Sequence, residues 1–96
     1  MRRVVIEIEN ESYQVSDISL GGCFIDGASN KWPPGKVLKA TLVMPFNEQI
    51  RRVMVKMQIV RVADNGLGAQ FRLPTSSTVM YIRHYLNSSW DESFAS

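Results

Sequence analysis

RRVMVKMQIVRVADNGLGAQF, residues 51–71, is the stretch whose reading sets the fold. Val53, Val55, Met57 and Ile59 share one face of an extended chain, and a period of two marks a half-buried strand. After Ile59 the phase breaks. Val60 and Val62 take the opposite parity, so this long strand bends or changes partner there. Asn65-Gly66 reads as a hairpin turn, because both residues tolerate a left-handed φ. Leu67, Ala69, Phe71 and Leu73 then alternate with Gly68, Gln70 and Arg72.

The same period runs upstream. Val4, Ile6 and Ile8 alternate with Val5, Glu7 and Glu9, and Asn10-Glu11-Ser12 turns the chain. Tyr13 to Ser19 is a second strand whose apolar set changes face between Val15 and Ile18, as a β-bulge requires. Cys23 to Asp26 is a short third strand. GASNKWPPG is a loop, with Pro34-Gly35 suited to the central positions of a type II turn. Trp32 packs on that loop. Val37 to Met44 alternates again, and Pro45 to Glu48 turns the chain into residues 51–71. Ile6, Val15, Leu42, Val55 and Phe71 are the expected core, with Met54, Met57 and Met80 as filler. Arg51, Arg52 and Lys56 decorate an exposed strand face.

After Pro74 the period changes. Val79, Ile82 and Leu86 are spaced for one stripe of a helix, Thr75 or Ser76 can cap its start, and it ends near Asn87. Six antiparallel strands at this spacing favour a small barrel, since closure removes exposed edges. The fold class is therefore all-β: a six-stranded antiparallel barrel with a C-terminal helix, over residues 1–88, and a short polar tail at 89–96.

Composition excludes several functions. The chain has 96 residues, 45% hydrophobic and 21% charged, which fits one globular domain. A single Cys and a single His rule out an internal disulfide and a Cys/His metal site. The net charge of +2 is small for a nucleic-acid binder. Arg51, Arg52 and Lys56 have no aromatic interleaved among them, so single-stranded nucleic acid is not an expected partner. Glu7 and Glu9 end the apolar run after Arg2-Arg3, so no leader is read there. No run approaches the roughly 18 apolar residues of a spanning helix. A cytoplasmic setting and no membrane insertion are expected. Ser19, His84 and Asp17 have no triad spacing, there is no nucleophile elbow or Walker loop, and His84 reads as a surface residue. A binding module is expected rather than an enzyme, with no catalytic residue, metal or cofactor.

SDISLGGCF, residues 16–24, carries the chemistry. Asp17, Ser19, Gly21 and Gly22 set a carboxylate, a hydroxyl and a permissive backbone on one strand edge. A carboxylate accepts from the donor edge of guanine, whose acceptor edge suits a guanidinium. A short hydroxyl suits phosphate or ribose, and glycine lets the backbone approach a ligand. The same residues can equally close an Asx-type turn and a bulge.

DISLGG matches D-x-S-x-x-G and resembles the second signature of PilZ domains, small bacterial barrels that bind cyclic di-GMP. GCFI, PPGKVLKATLVMP and VRVADNGLGAQF follow in the family's order, so the resemblance covers about residues 3–87. The family's first signature, R-x-x-x-R, is met in part. Arg3 or Arg2 aligns with its second arginine, and the first would fall before Met1. The resemblance implies a second-messenger receptor or effector module: Arg2 and Arg3 on phosphates and guanine, Asp17 and Ser19 on base and backbone, and Gly21 and Gly22 shaping the site. It also implies a protein partner or fused domain in bacterial motility, polysaccharide export or biofilm control. The alternative is a PilZ-like adaptor that works through protein contacts without nucleotide.

Overall fold

The computed structural model describes residues 4–95, with side chains as far as Asn87. Six strands close a barrel: β1 (Val4–Ile8), β2 (Glu11–Ile18), β3 (Gly22–Asp26), β4 (Val37–Phe46), β5 (Gln49–Ala63) and β6 (Gly66–Phe71). A helix, α1 (Ser76–Ala95), follows. The order around the barrel is β1-β2-β3-β6-β5-β4, every pair is antiparallel, and β4 pairs back to β1. The expected fold class is what is found.

Alternation dictates the interior. Ile6, Leu42, Val55 and Phe71 are buried as expected, with Ile8, Ile25, Met44, Met57, Ile59 and Leu67 beside them. Val15 is only half-buried, because the register of β2 shifts immediately after it. Of the three methionines expected as filler, only Met57 is internal. Met54 and Met80 are 73% and 51% exposed, since Met54 has the outward parity of β5 and Met80 lies off the packed stripe of α1.

The turns differ from expectation in instructive ways. The first is the two-residue loop Glu9-Asn10, with φ of 53° and 70°, one step before the predicted place. Left-handed φ at both central residues matches the twist of a tight hairpin. Pro45 and Phe46 do not turn the chain; they extend β4, opposite Ile50 and Gln49, and Asn47 at φ 57° begins the reversal. Asn65-Gly66 is a hairpin end, but neither residue has positive φ. Gly66 is required by packing, because a Cβ there would lie 2.2 Å from the Ile25 carbonyl oxygen. Pro34-Gly35 forms the predicted turn, with Gly35 at φ 93° and the Lys36 amide donating to the Pro33 carbonyl at 3.2 Å. The Gly35 amide in turn donates to Ile59, at 2.7 Å. Trp32 is buried edge-on to Tyr13, 6.0 Å between centroids, and the exposed Lys31–Glu11 pair (3.2 Å) flanks it.

Thr75 caps α1: its Oγ1 accepts from the Thr78 amide at 3.1 Å and shares a hydrogen with the Thr78 hydroxyl at 3.0 Å. That contact lets Thr78, a polar residue, be buried. Ile82 is fully buried, and Val79 and Leu86 are half-buried, so the expected stripe faces the barrel. His84 is not a free surface residue. It is half-buried on Phe46, with ring centroids 4.4 Å apart. The helix continues to Ala95, past the expected end near Asn87 and through the segment read as a tail. Residues 75–95 contain no proline or glycine, so nothing in them forces a stop.

Candidate functional site

Both phase changes read in the sequence are bulges, and together they build one surface. In β2, Val15 pairs with Ile25, but Asp17 pairs with Phe24. Ser16 is the extra residue. Were Ser16 paired in regular register with Phe24, Asp17 would oppose Cys23, whose side chain is buried, and the carboxylate would enter the core. In β5, Ile59 pairs with Ala69, but Arg61 pairs with Gly68, and Val60 is the extra residue. Were Val60 paired in regular register with Gly68, Arg61 would oppose the fully buried Leu67. Each bulge therefore turns one charged side chain outward.

The two charges belong to one cross-strand row. Asp17 opposes Phe24, Phe24 opposes Gly68, and Gly68 opposes Arg61. Directly opposed residues of antiparallel strands share a face. The Arg61 guanidinium lies over the Phe24 ring, 5.7 Å from its centroid. It reaches there across Gly68, whose missing Cβ would sit 3.5 Å from Arg61 Cβ and 3.6 Å from Nε. An arginine stacked on an aromatic keeps its outer face open for a planar ligand. Sequence reading passed over Phe24 and Arg61. The signal was present, since Phe24 alternates with inward Cys23 and Ile25, and Arg61 follows the phase break.

Ser19 to Gly22 close the turn beside this row. The Ser19 amide donates to the Gly22 carbonyl at 2.9 Å, and Ser19 Oγ accepts from the Gly21 amide at 3.2 Å. The Gly21 carbonyl accepts from the Phe71 amide at 2.9 Å, which ties the turn to the end of β6. Asp17, Ser19 and Gly21 are exposed, and Gly22 is half-buried. The two glycines differ in role. A Cβ on Gly22 would lie 2.2 Å from the Ala69 carbonyl oxygen, whereas one on Gly21 meets nothing nearer than Ser19 Oγ at 4.0 Å. Asp17, Ser19, Gly21 and Gly22 are thus brought together. Arg2 and Arg3 lie outside the described residues.

Cys23 sits beneath the turn. Burial, assisted by the Asp17 carboxylate, pushes its thiol up to about 12. A neutral buried thiol is a poor nucleophile. Its raised value means that the fold disfavours ionisation, so stability falls as pH rises from the ordinary thiol value of 9.0 towards about 12. Folded protein at pH 8 is expected to resist a thiol reagent such as DTNB and to react only as fast as it opens. Immediate stoichiometric reaction would show Cys23 accessible.

A rim turn bearing a carboxylate, a hydroxyl and open backbone lies beside a stacked guanidinium on the outside of a small closed barrel. The PilZ domain family model matches residues 1–88, and the chain belongs to that family. No curated protein matches it. PilZ is a family of binding and adaptor domains, known for cyclic di-GMP. Among the described residues, no helix is long and apolar enough to cross a membrane, and no group of three or more metal-ligating side chains forms.

Proposed function

We propose that this domain is a cyclic di-GMP-responsive binding module, a cytoplasmic bacterial receptor or effector that reports the nucleotide to a protein partner or fused domain. The observation that carries the reading is the shared outward row of Asp17, Phe24 and Arg61 beside the Ser19–Gly22 turn. Asp17 accepts from the guanine N1–H and N2–H donors. Arg61, flat on Phe24, offers a face to a purine. Gly21 leaves room for close approach, and Arg2 and Arg3 neutralise phosphate.

A second reading, the nucleotide-free adaptor, is favoured by a specific feature. Ser19 Oγ already bonds within its own turn, accepting from Gly21 and lying 3.4 Å from the Gly22 carbonyl. Calorimetry with cyclic di-GMP separates the two. Each charge-assisted bond is worth roughly 1.5–3 kcal/mol. Residues 1–96 alone are therefore expected to bind about 10- to 150-fold more weakly than the same residues extended by an arginine four positions before Arg3. Asp17→Ala is expected to reduce binding in both. No binding by either chain at equal salt would favour the adaptor.

A further inference from the structure

Leu73 is the most conspicuous residue outside the site just described. It follows β6 at the corner leading to α1, with φ 47° and 92% exposure. The sequence pattern expected it to continue the inward alternation of β6, and it does not. A leucine in the left-handed region is strained, and full exposure returns nothing for that strain. Asn or Gly would hold the same corner more easily.

Its surroundings explain why leucine is useful there. A groove of about 260 Å³ runs between Leu73, Pro74 and Thr75 on one side and Lys39, Met54 and Lys56 on the other. Met54 is itself 73% exposed. Lys39 and Lys56 are direct cross-strand partners, and like charges placed so are unfavourable in the free domain. Among the described residues neither forms an ion pair; the pairs formed there are Lys31–Glu11 and Arg52–Glu7. Arg72 closes the groove. Its amide donates to the Lys56 carbonyl at 2.7 Å, and its guanidinium is held by Gln58 Oε1 at 2.5 Å. Three cations therefore surround two exposed apolar side chains.

We propose that this surface docks an acidic polypeptide segment of another protein, with one apolar side chain seated between Leu73 and Met54 and carboxylates against Lys39, Lys56 and Arg72. Charge complementarity names the occupant. The groove is smaller than the roughly 300–1,000 Å³ of small-ligand pockets, and it suits one or two side chains of a peptide. A second groove, lined by Met80 and Arg83, adjoins it at Pro74, so the track continues as a linear segment needs. No aromatic side chain lines the Leu73 groove to stack a nucleobase.

The test is a titration of the isotope-labelled chain with a synthetic peptide of aspartates and glutamates around a central leucine. Controls carry glycine in place of that leucine, or lysines in place of the acids. The leucine peptide is expected to shift the amides of residues 54–56 and 72–75, excluding Pro74, and salt should weaken it. Lys56→Glu and Leu73→Gly should each weaken it by about tenfold or more. Leu73→Gly should melt no lower than the parent, because glycine accepts the left-handed φ, so loss of binding is separable from loss of fold. Absence of shifts at millimolar peptide would overturn the proposal, as would binding indifferent to Leu73→Gly. Two further results would reassign the surface: preferential binding to vesicles of anionic lipid, or self-association of the chain abolished by Lys56→Glu.

Discussion

Phe71→Ala is expected to lower the unfolding free energy by about 3–5 kcal/mol, the range for removing a buried aromatic. Phe71 is 6% exposed and belongs to the hydrophobic cluster inside the barrel. Phe71 is the last residue of β6, opposite the fully buried Met57. Alanine would leave a cavity that the surrounding strands, closed into a barrel, relax into only partly. Domains of this size have about 5–15 kcal/mol in all, so the loss is a large share of the total. Denaturant melts would read it as a lower midpoint at unchanged slope. A loss below about 1 kcal/mol, well under that range, would place Phe71 outside the core. The same substitution should loosen the rim, because the Phe71 amide holds the Gly21 carbonyl.

The barrel was legible because period-2 alternation depends only on which face of a strand meets the core. Four of the five expected core residues are buried on that ground alone. Both bulges were legible too, since an extra residue leaves a phase break in one strand's own sequence. What a single strand cannot reveal is the partner across from the bulge. That Asp17 and Arg61 stand in one row follows only from the pairings β2-β3, β3-β6 and β6-β5, of which the middle one joins segments far apart in the chain. The motif residues were therefore found, while Phe24 and Arg61 were not.

Glycine roles were hidden for a related reason. Gly66 looked like a φ requirement, yet it is excluded from bearing a side chain by the Ile25 carbonyl and the Phe24 ring. Local turn chemistry cannot see a clash supplied by another strand. Leu73 failed the other way. Its parity placed it inside, but the backbone leaves the sheet after Phe71, and parity means nothing beyond the last paired residue. The end of α1 went unread because sequence signals a stop by glycine or proline, and Asn87, Ser88 and Ser89 are only weak helix formers.

The glycines of the motif give the second large effect, and it divides structure from recognition. Gly22→Ala is expected to destabilise the domain by roughly 1–3 kcal/mol, the usual penalty for forcing atoms into a filled space. The atoms nearest the added Cβ would all be β6 backbone: Ala69 O at 2.2 Å, Gln70 Cα at 3.1 Å and Ala69 C at 3.2 Å. No side chain can swing away, so β3 and β6 must separate at the rim, and the Ser19–Gly22 turn must move with them. Gly21→Ala should behave otherwise. Its φ is not in the left-handed region, and the new methyl would point into open space, so stability should change by less than about 0.5 kcal/mol, as at other surface positions. If cyclic di-GMP approaches the backbone there, as the proposed function requires, the same methyl should weaken binding while the melt stays put. Parallel denaturant melts and cyclic di-GMP titrations of the two variants would read both effects. A harmless Gly22→Ala would mean that β3 and β6 are not packed so closely. A Gly21→Ala variant that melts like the parent and binds as well as it does would remove Gly21 from the ligand site and leave Asp17 and Arg61 to carry recognition.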